Sequence, residues 1–160
     1  MKRNDLIILM LAMCLLGACR TISKRDREGY SSEKVLTETD IPYTIAEGYF
    51  QKNNIKLLST SPIVTEEEFN SLFGMATTMG VNGRPTTIDF SKEYVIAVSK
   101  PETNYSTTLT PVSLKKDEKG NIVFTYKTIK GKKQSYSILP CLLIIIDQNQ
   151  KGKLLLKEEK

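Results

Sequence analysis

Histidine and tryptophan are both absent from this chain of 160 residues, and cysteine occurs only three times. The lack of histidine excludes Ser-His-Asp and Cys-His catalysis, and it also excludes histidine-based zinc and non-haem iron sites. The longest apolar run has 13 residues, whereas a helix that spans a bilayer needs roughly 20. The chain contains 40% hydrophobic and 26% charged residues, which is the composition of a globular protein. Its length is that of one domain.

The N-terminus follows the order of a secretory signal peptide. Lys2 and Arg3 precede the apolar run, which ends in the small-residue exit Leu16–Cys19, LGAC. This exit resembles the lipobox of bacterial lipoproteins, and the resemblance implies cleavage before Cys19 and attachment of a diacylglycerol to its sulfur. The alternatives are an ordinary secretory signal with a chance cysteine and an uncleaved anchor.

The lipobox interpretation predicts a membrane anchor on a domain that stays in water, because two or three acyl chains are enough for stable anchoring. Arg20 follows the cysteine. By resemblance to proteobacterial sorting, a residue other than Asp at this position implies the bacterial outer membrane, with the leaflet left open. We therefore predict a lipoprotein signal peptide at 1–18, a lipidated Cys19 with a flexible, charge-mixed tether at 19–40, and a single β-rich domain at 41–160.

Only one cysteine remains for the folded domain. Cys14 leaves with the signal peptide and Cys19 is blocked by lipid, so Cys141 has no partner for an intramolecular disulfide. Cys141 lies in the apolar stretch Leu139–Ile146, which is typical of a buried strand. Because burial among apolar groups makes a thiol inert, we interpret Cys141 as a core residue and not as a catalytic or redox group.

One helix is predicted from its N-terminal pattern. Thr65 and Glu68 form a capping box, and Val64 and Phe69 occupy the positions of a hydrophobic staple. Apolar residues then recur at helical spacing, at Phe69, Leu72, Phe73 and Ala76. The segment Ile45–Lys52 before this helix is predicted to be the first strand.

From Asp89 onward the pattern is that of short strands separated by turns. Strands are predicted at 94–98, 109–114, 122–126, 135–139, 142–146 and 153–157, and turns at 117–121, 130–133 and 147–152. Pro111 predicts a bulge or an edge within its strand. Together the pattern predicts an α+β, mostly β fold: an antiparallel sandwich or open barrel of about 6–8 short strands with one packed helix.

The glycine-rich segment Gly74–Pro85 is predicted to be a loop. It is not a phosphate-binding loop, because no Gly-Lys-Ser/Thr follows it. Its methionines and threonines make it either packed filler or an adaptable contact surface. The candidate partner-binding residues are Met75, Met79, Asn82 and Arg84 of this loop, together with Tyr105.

The remaining charged clusters do not indicate a reaction or a bound ion. Consecutive helical residues point to different faces, so Glu66–Glu68 do not predict a metal site. The lysines at 127–133 are interpreted as a solvated turn, with an anionic partner as the alternative and nucleic acid disfavoured. We expect no enzyme, and no cofactor, metal or nucleic-acid partner.

Two segments carry a second family resemblance. At Thr87–Val98 an Asp-Phe-Ser-Lys step leads into an apolar strand, and at Leu139–Ile145 a proline precedes another one. Within residues 68–158, these features resemble the C-terminal domain of PrcB-type lipoproteins, accessory subunits of a bacterial surface protease complex. The chain departs from the family at Glu102–Thr108, where it keeps Tyr105 but lacks both glycines of a Thr-Gly-Gly-Tyr-like turn. The resemblance implies a small β-rich module that binds or steadies a protease or another envelope protein.

The sequence therefore predicts a membrane-anchored envelope lipoprotein that acts as a protein-binding accessory module, with regulation or inhibition of a protease suggested by the resemblance. The alternatives are a structural envelope lipoprotein without a discrete ligand, and a small-ligand or glycan-binding lipoprotein that uses the loop at 74–85. A glycan binder is disfavoured, because sugars stack on exposed aromatic rings and only 8% of the residues are aromatic.

Overall fold

A computed structural model of the chain describes residues 38–53, 55, 61–76 and 83–160. The predictions for residues 1–37, which include the signal peptide, lipid attachment at Cys19 and most of the tether, lie outside the described residues. Met79 and Asn82 of the predicted contact loop also lie outside them.

The described residues are mostly strand, with one helix, which confirms the predicted α+β, mostly β class. Nine strands are present in this part of the chain, against the 6–8 expected. In chain order the elements are β1 (Thr39–Asp40), β2 (Thr44–Ile45), β3 (Tyr49–Gln51), α1 (Glu66–Leu72), β4 (Phe73–Met75), β5 (Glu93–Ser99), β6 (Thr103–Lys116), β7 (Ile122–Ile138), β8 (Cys141–Asp147) and β9 (Leu154–Glu159).

A three-stranded sheet in the order β2-β8-β5 forms the middle layer. Its two longer strands are apolar at nearly every position, so they are buried on both faces. On one face, Ile96 packs in a core cluster with Phe124 of the four-stranded sheet β1-β6-β7-β9. On the other face, Val95 packs with Phe69 of α1 and Phe73 of β4. The result is a β-sandwich with the helix and the β3–β4 ribbon as a third layer.

The strand pairing within these sheets is antiparallel except for one pair. β9 runs parallel to β7, from Ile122 opposite Leu154 to Lys127 opposite Glu159. Leu154 is buried in the core cluster between the two larger sheets. The parallel pairing therefore buries the apolar face of β9. The sequence pattern alone does not distinguish this parallel pairing from an antiparallel one.

β6 and β7 form a hairpin of 14 and 17 residues, much longer than the predicted short strands. The predicted turn at Lys130–Lys133 is wrong, because this segment is extended within β7. Gly131 in this segment faces β6, and a Cβ on it would lie 3.2 Å from the backbone oxygen of Ser106. Gly131 thus permits the two strands to approach closely, and it does not form a turn.

Two predictions in the first half of the domain are also wrong in detail. The predicted strand Ile45–Lys52 is interrupted at Gly48, which has a φ of +76°, and only its two ends are strands. The predicted loop Gly74–Pro85 begins inside β4, which pairs with β3. The ring of Phe50 lies over Gly74, where a Cβ would be 2.5 Å from it, so a neighbouring side chain covers this glycine in the ribbon.

Several local predictions are confirmed. Thr65 is the N-cap of α1, since its Oγ1 accepts a hydrogen bond from the Glu68 N–H at 3.2 Å. The pairing of β6 with β7 shifts register between Pro111 and Ser113, as expected for a bulge. The turn at 117–121 is present, with Gly120 at a φ of +80°. The hydrophobic staple between Val64 and Phe69 stays a prediction, and Val64 is 51% exposed.

Candidate functional site

The structure brings two of the predicted contact residues into one groove. Met75, at the end of β4, is 65% exposed, and the exposed Arg84 lines the same groove. Tyr105 is not part of it, because β6 lies in the four-stranded sheet, on the opposite face of the middle sheet from α1.

We call this cleft the α1 groove. It has a volume of about 330 Å³, near the lower end of the range of roughly 300–1,000 Å³ that is usual for ligand sites. Its lining residues come from β3, α1, β4 and the segment before β5: Tyr49, Glu66, Phe69, Asn70, Met75, Arg84, Pro85, Thr87, Ile88 and Phe90.

Aromatic rings form the floor of the α1 groove. Phe69 is only 3% exposed and lies at the centre of the cluster. Its ring centroid is 5.0 Å from Tyr49, 5.2 Å from Phe73 and 5.6 Å from Phe90. Such contacts add to the free energy of burial and hold each ring in one orientation, so the floor is rigid before anything binds.

Hydrogen bonds hold the wall opposite α1 in place. The Glu47 N–H donates to Thr86 Oγ1 and the Thr86 N–H donates to the Glu47 carbonyl, both at 3.0 Å. The Tyr49 hydroxyl donates to the Thr86 carbonyl at 2.6 Å. Burial raises the pKa of Tyr49 above its ordinary value, which keeps the hydroxyl protonated as a donor.

The Asp-Phe-Ser-Lys motif, Asp89–Lys92, forms the turn between this wall and β5. The carboxylate of Asp89 accepts hydrogen bonds from the Ser91 N–H and hydroxyl, and its Oδ2 lies 3.0 Å from Lys92 Nζ. Phe90 points into the aromatic floor. The polar residues of the motif therefore shape the turn, and the aromatic residue contributes to the groove.

The rim of the groove carries one charge of each sign. Glu66 lies on α1 and Arg84 lies in the segment before β5, and both are exposed. An aromatic floor, a thioether at Met75 and two opposite rim charges suit the binding of an apolar side chain that is oriented by polar contacts. In the part of the chain that the structure describes, no group of three Cys, Asp or Glu side chains lies close enough to hold a metal ion.

Cys141 is half-buried at the start of β8. Burial raises the pKa of its thiol, and a hydrogen bond from the Gln51 backbone partly opposes this shift. The thiol is therefore held in its unreactive, protonated form.

A larger cleft of about 790 Å³ lies where β5 and β7 end. Gln51, which is 5% exposed, contributes to its lining together with Ser99, Lys100 and Glu102. Its wall also includes Asn53 and Ile55, whose neighbours 54 and 56–60 lie outside the described residues. Its lining is mostly polar, whereas the α1 groove has an aromatic floor, so the α1 groove is the candidate site.

The sequence did not indicate the contact between Tyr105 of β6 and Lys130 of β7. Lys130 Nζ lies 3.7 Å from the centroid of the Tyr105 ring, a cation–π contact across the hairpin. The pairing of these strands shifts register on either side of Tyr105, so a pattern of alternating residues does not predict which lysine meets the ring.

Comparisons of the chain with protein-family models, with curated proteins and with solved structures find no match. Among the described residues, no helix has the length and apolar character needed to cross a membrane.

Proposed function

We propose that the protein is a membrane-anchored envelope lipoprotein whose β-rich domain is a protein-binding accessory module. The α1 groove, with the exposed Met75 beside a rigid aromatic floor, is the observation that carries this proposal. The lipobox-like exit Leu16–Cys19 supports the membrane anchor. The resemblance to PrcB-type lipoproteins supports a protease as the partner that the module regulates or inhibits.

The groove suits an apolar side chain of a protein ligand. Its volume of about 330 Å³ fits one or two side chains of a partner. Methionine adapts to irregular apolar surfaces because it is unbranched and polarisable, and the exposed Met75 lines the groove. A partner that offers an apolar side chain flanked by charges would match both the floor and the rim.

Site-specific photo-crosslinking in native cell envelopes tests this proposal. A photoreactive phenylalanine analogue replaces Met75, and in a matched control it replaces Lys119, an exposed residue of the turn at 117–121. We expect Met75 to yield one defined crosslinked protein that Lys119 does not yield. The charge reversal Arg84→Glu should weaken that crosslink, and Cys19→Ser should abolish it by removing the anchor.

Three results would count against the proposal. Equal crosslinking from Met75 and Lys119 would mean that the groove is not the contact surface. An absence of crosslinks from either position would favour a structural lipoprotein without a discrete ligand. Binding of a glycan or another small molecule that protects the Met75 position, without any protein crosslink, would favour the small-ligand alternative.

A further inference from the structure

Two short strands, each with acidic residues, pair with only parts of the outer edges of the long β6–β7 hairpin. β1 covers β6 at Lys115 and Lys116, and β9 covers β7 from Ile122 to Lys127. Beyond Lys127, none of the strands that the structure describes pairs with β7 on its β9 side. We call this open side of β7, from Thr128 to Ile138, the β7 edge.

The backbone of Lys130 faces the β7 edge. The Ile122 N–H donates to the Lys153 carbonyl, next to β9, at 2.9 Å, and alternate residues of a strand direct their N–H and C=O groups to the same side. From Ile122 to Lys130, the even-numbered residues of β7 therefore direct their N–H and C=O groups to the β9 side. The pairing with β6 is regular from Tyr126 to Lys130 and shifts register beyond Lys130. A strand added here would meet the N–H and C=O of Lys130 directly.

The opposite edge of the hairpin is less suited to strand addition. Pro111 is paired with Tyr126, whose backbone faces β9, so the nitrogen of Pro111 faces away from β7 towards the outer side of β6. Proline has no N–H to donate, and it is one of the residues that protect sheet edges. The segment around Pro111 therefore lacks a donor at its centre.

A carboxylate pairs with a lysine of the hairpin at one of the two covered edges, whereas at the other edge its cation, Lys100, lies outside the hairpin. At one edge, Glu38 beside β1 pairs with Lys115 of β6 at 3.2 Å. At the other edge, Glu158 of β9 pairs with Lys100 and accepts a hydrogen bond from the Thr128 hydroxyl. The β7 edge carries the exposed Lys130, Lys132 and Lys133, and none of these is in an ion pair among the described residues. Lys130 instead contacts the Tyr105 ring across the hairpin.

We propose that the β7 edge binds an acidic, extended segment of a partner protein as an added strand beyond β9. The inference goes beyond the proposed function, because β7 lies in the four-stranded sheet, on the opposite face of the middle sheet from α1. Backbone hydrogen bonds at Lys130 and carboxylates opposite the lysines supply the recognition. A second copy of this chain is a poor occupant, because its β7 edge would place lysines opposite lysines.

Binding of a synthetic peptide to the purified full-length protein in detergent tests the proposal. The probe is a fluorescent, end-blocked Thr-Val-Glu-Val-Glu-Thr-Glu peptide, and its control has Gln at each Glu position. We expect the acidic peptide to bind at low salt and the control peptide to bind weakly. Lys130→Pro removes the outward N–H and should weaken binding about tenfold, whereas Lys130→Ala keeps that N–H and should weaken it only about two- to threefold.

A second pair of variants keeps the test informative should Lys130→Pro disturb folding. Lys132→Glu combined with Lys133→Glu should abolish binding of the acidic peptide, because it reverses the charge of the edge. Lys119→Glu combined with Lys151→Glu changes two exposed lysines elsewhere by the same total charge, and it should leave most of the binding intact.

Several outcomes would overturn the inference. Equal binding by Lys130→Pro and Lys130→Ala would show charge attraction without an added strand. Lack of binding to the acidic peptide would show that the lysines only protect the edge. If the Cys19→Ser protein binds phosphatidylglycerol vesicles through Lys132 and Lys133 but not the peptide, the edge faces a membrane. A Met75 crosslink that persists in any of these cases would leave the proposed function standing.

Discussion

Gly48 and Gly120 share a left-handed backbone but differ in their surroundings. Their φ angles are +76° and +80°, a region that residues with a Cβ rarely adopt. A Cβ on Gly48 would lie 2.7 Å from the Cα of Pro85, whereas a Cβ on Gly120 would have nothing within 4 Å. Because Pro85 lines the α1 groove, Gly48 allows the wall of the groove to lie against the start of β3.

Alanine substitutions at these two glycines separate backbone strain from steric clash. Gly120→Ala should lower the free energy of unfolding by about 1 kcal/mol, which is the strain of the left-handed conformation. Gly48→Ala should lower it by about 3 kcal/mol, because the backbone at Pro85 must also move. Urea unfolding followed by circular dichroism measures both, and equal losses would contradict the close packing at Pro85.

At the level of elements, the turn Asp89–Lys92 joins the wall of the groove to β5. Hydrogen bonds from Ser91, and then the contact with Lys92, lower the pKa of Asp89 from 3.8 to about 2. A lowered pKa in the folded state means that the unfolded chain binds the proton more readily. The stabilisation is therefore fully present above the unfolded pKa and is lost as the pH falls through the folded pKa.

Asp89→Asn should remove this pH-dependent stabilisation. The difference in Tm between the wild type and Asp89→Asn should be greatest well above pH 3.8 and should disappear only below about pH 2. Thermal unfolding followed by circular dichroism across this pH range measures it. Ser91→Ala removes the strongest donor to Asp89 and should reduce the difference in part, whereas a pH-independent difference would mean that the carboxylate charge does not stabilise the turn.

In the molecule as a whole, the middle sheet couples the two outer layers. Successive residues of β8 face opposite sides: Ile144 packs in the cluster with Phe124, and Ile145 packs in the cluster with Phe69. Loss of order in either outer layer would expose one face of the same strand. We therefore expect the described layers to unfold together.

Removing one buried ring from each side of the middle sheet tests this coupling. Phe69→Ala and Phe124→Ala should each lower the free energy of unfolding by about 3–5 kcal/mol, with one transition in both far- and near-ultraviolet circular dichroism. Phe50→Ala, at a ring that is 49% exposed, should cost less. A separate early transition in Phe69→Ala alone would show that the α1 layer unfolds independently.

The candidate site was partly predictable from the sequence. The methionine and arginine of the segment at 74–85 suggested a contact surface, and Met75 and Arg84 do line one groove. Its floor was not predicted, because Phe69 was recognised only as a residue on the packed face of a helix. The packing of Tyr49 and Phe90 against that ring depends on how three distant segments meet.

The sequence by itself determined features that depend on residues a few positions apart: the cap at Thr65, the turn at 117–121, the bulge beside Pro111 and the apolar strands β5 and β8. Tertiary structure alone decided the parallel position of β9, the extended conformation at Gly131 and the contact of Lys130 with Tyr105. The physical reason is that local hydrogen bonds and side-chain alternation specify an element, whereas strand register and the burial of whole faces depend on segments far apart in the chain.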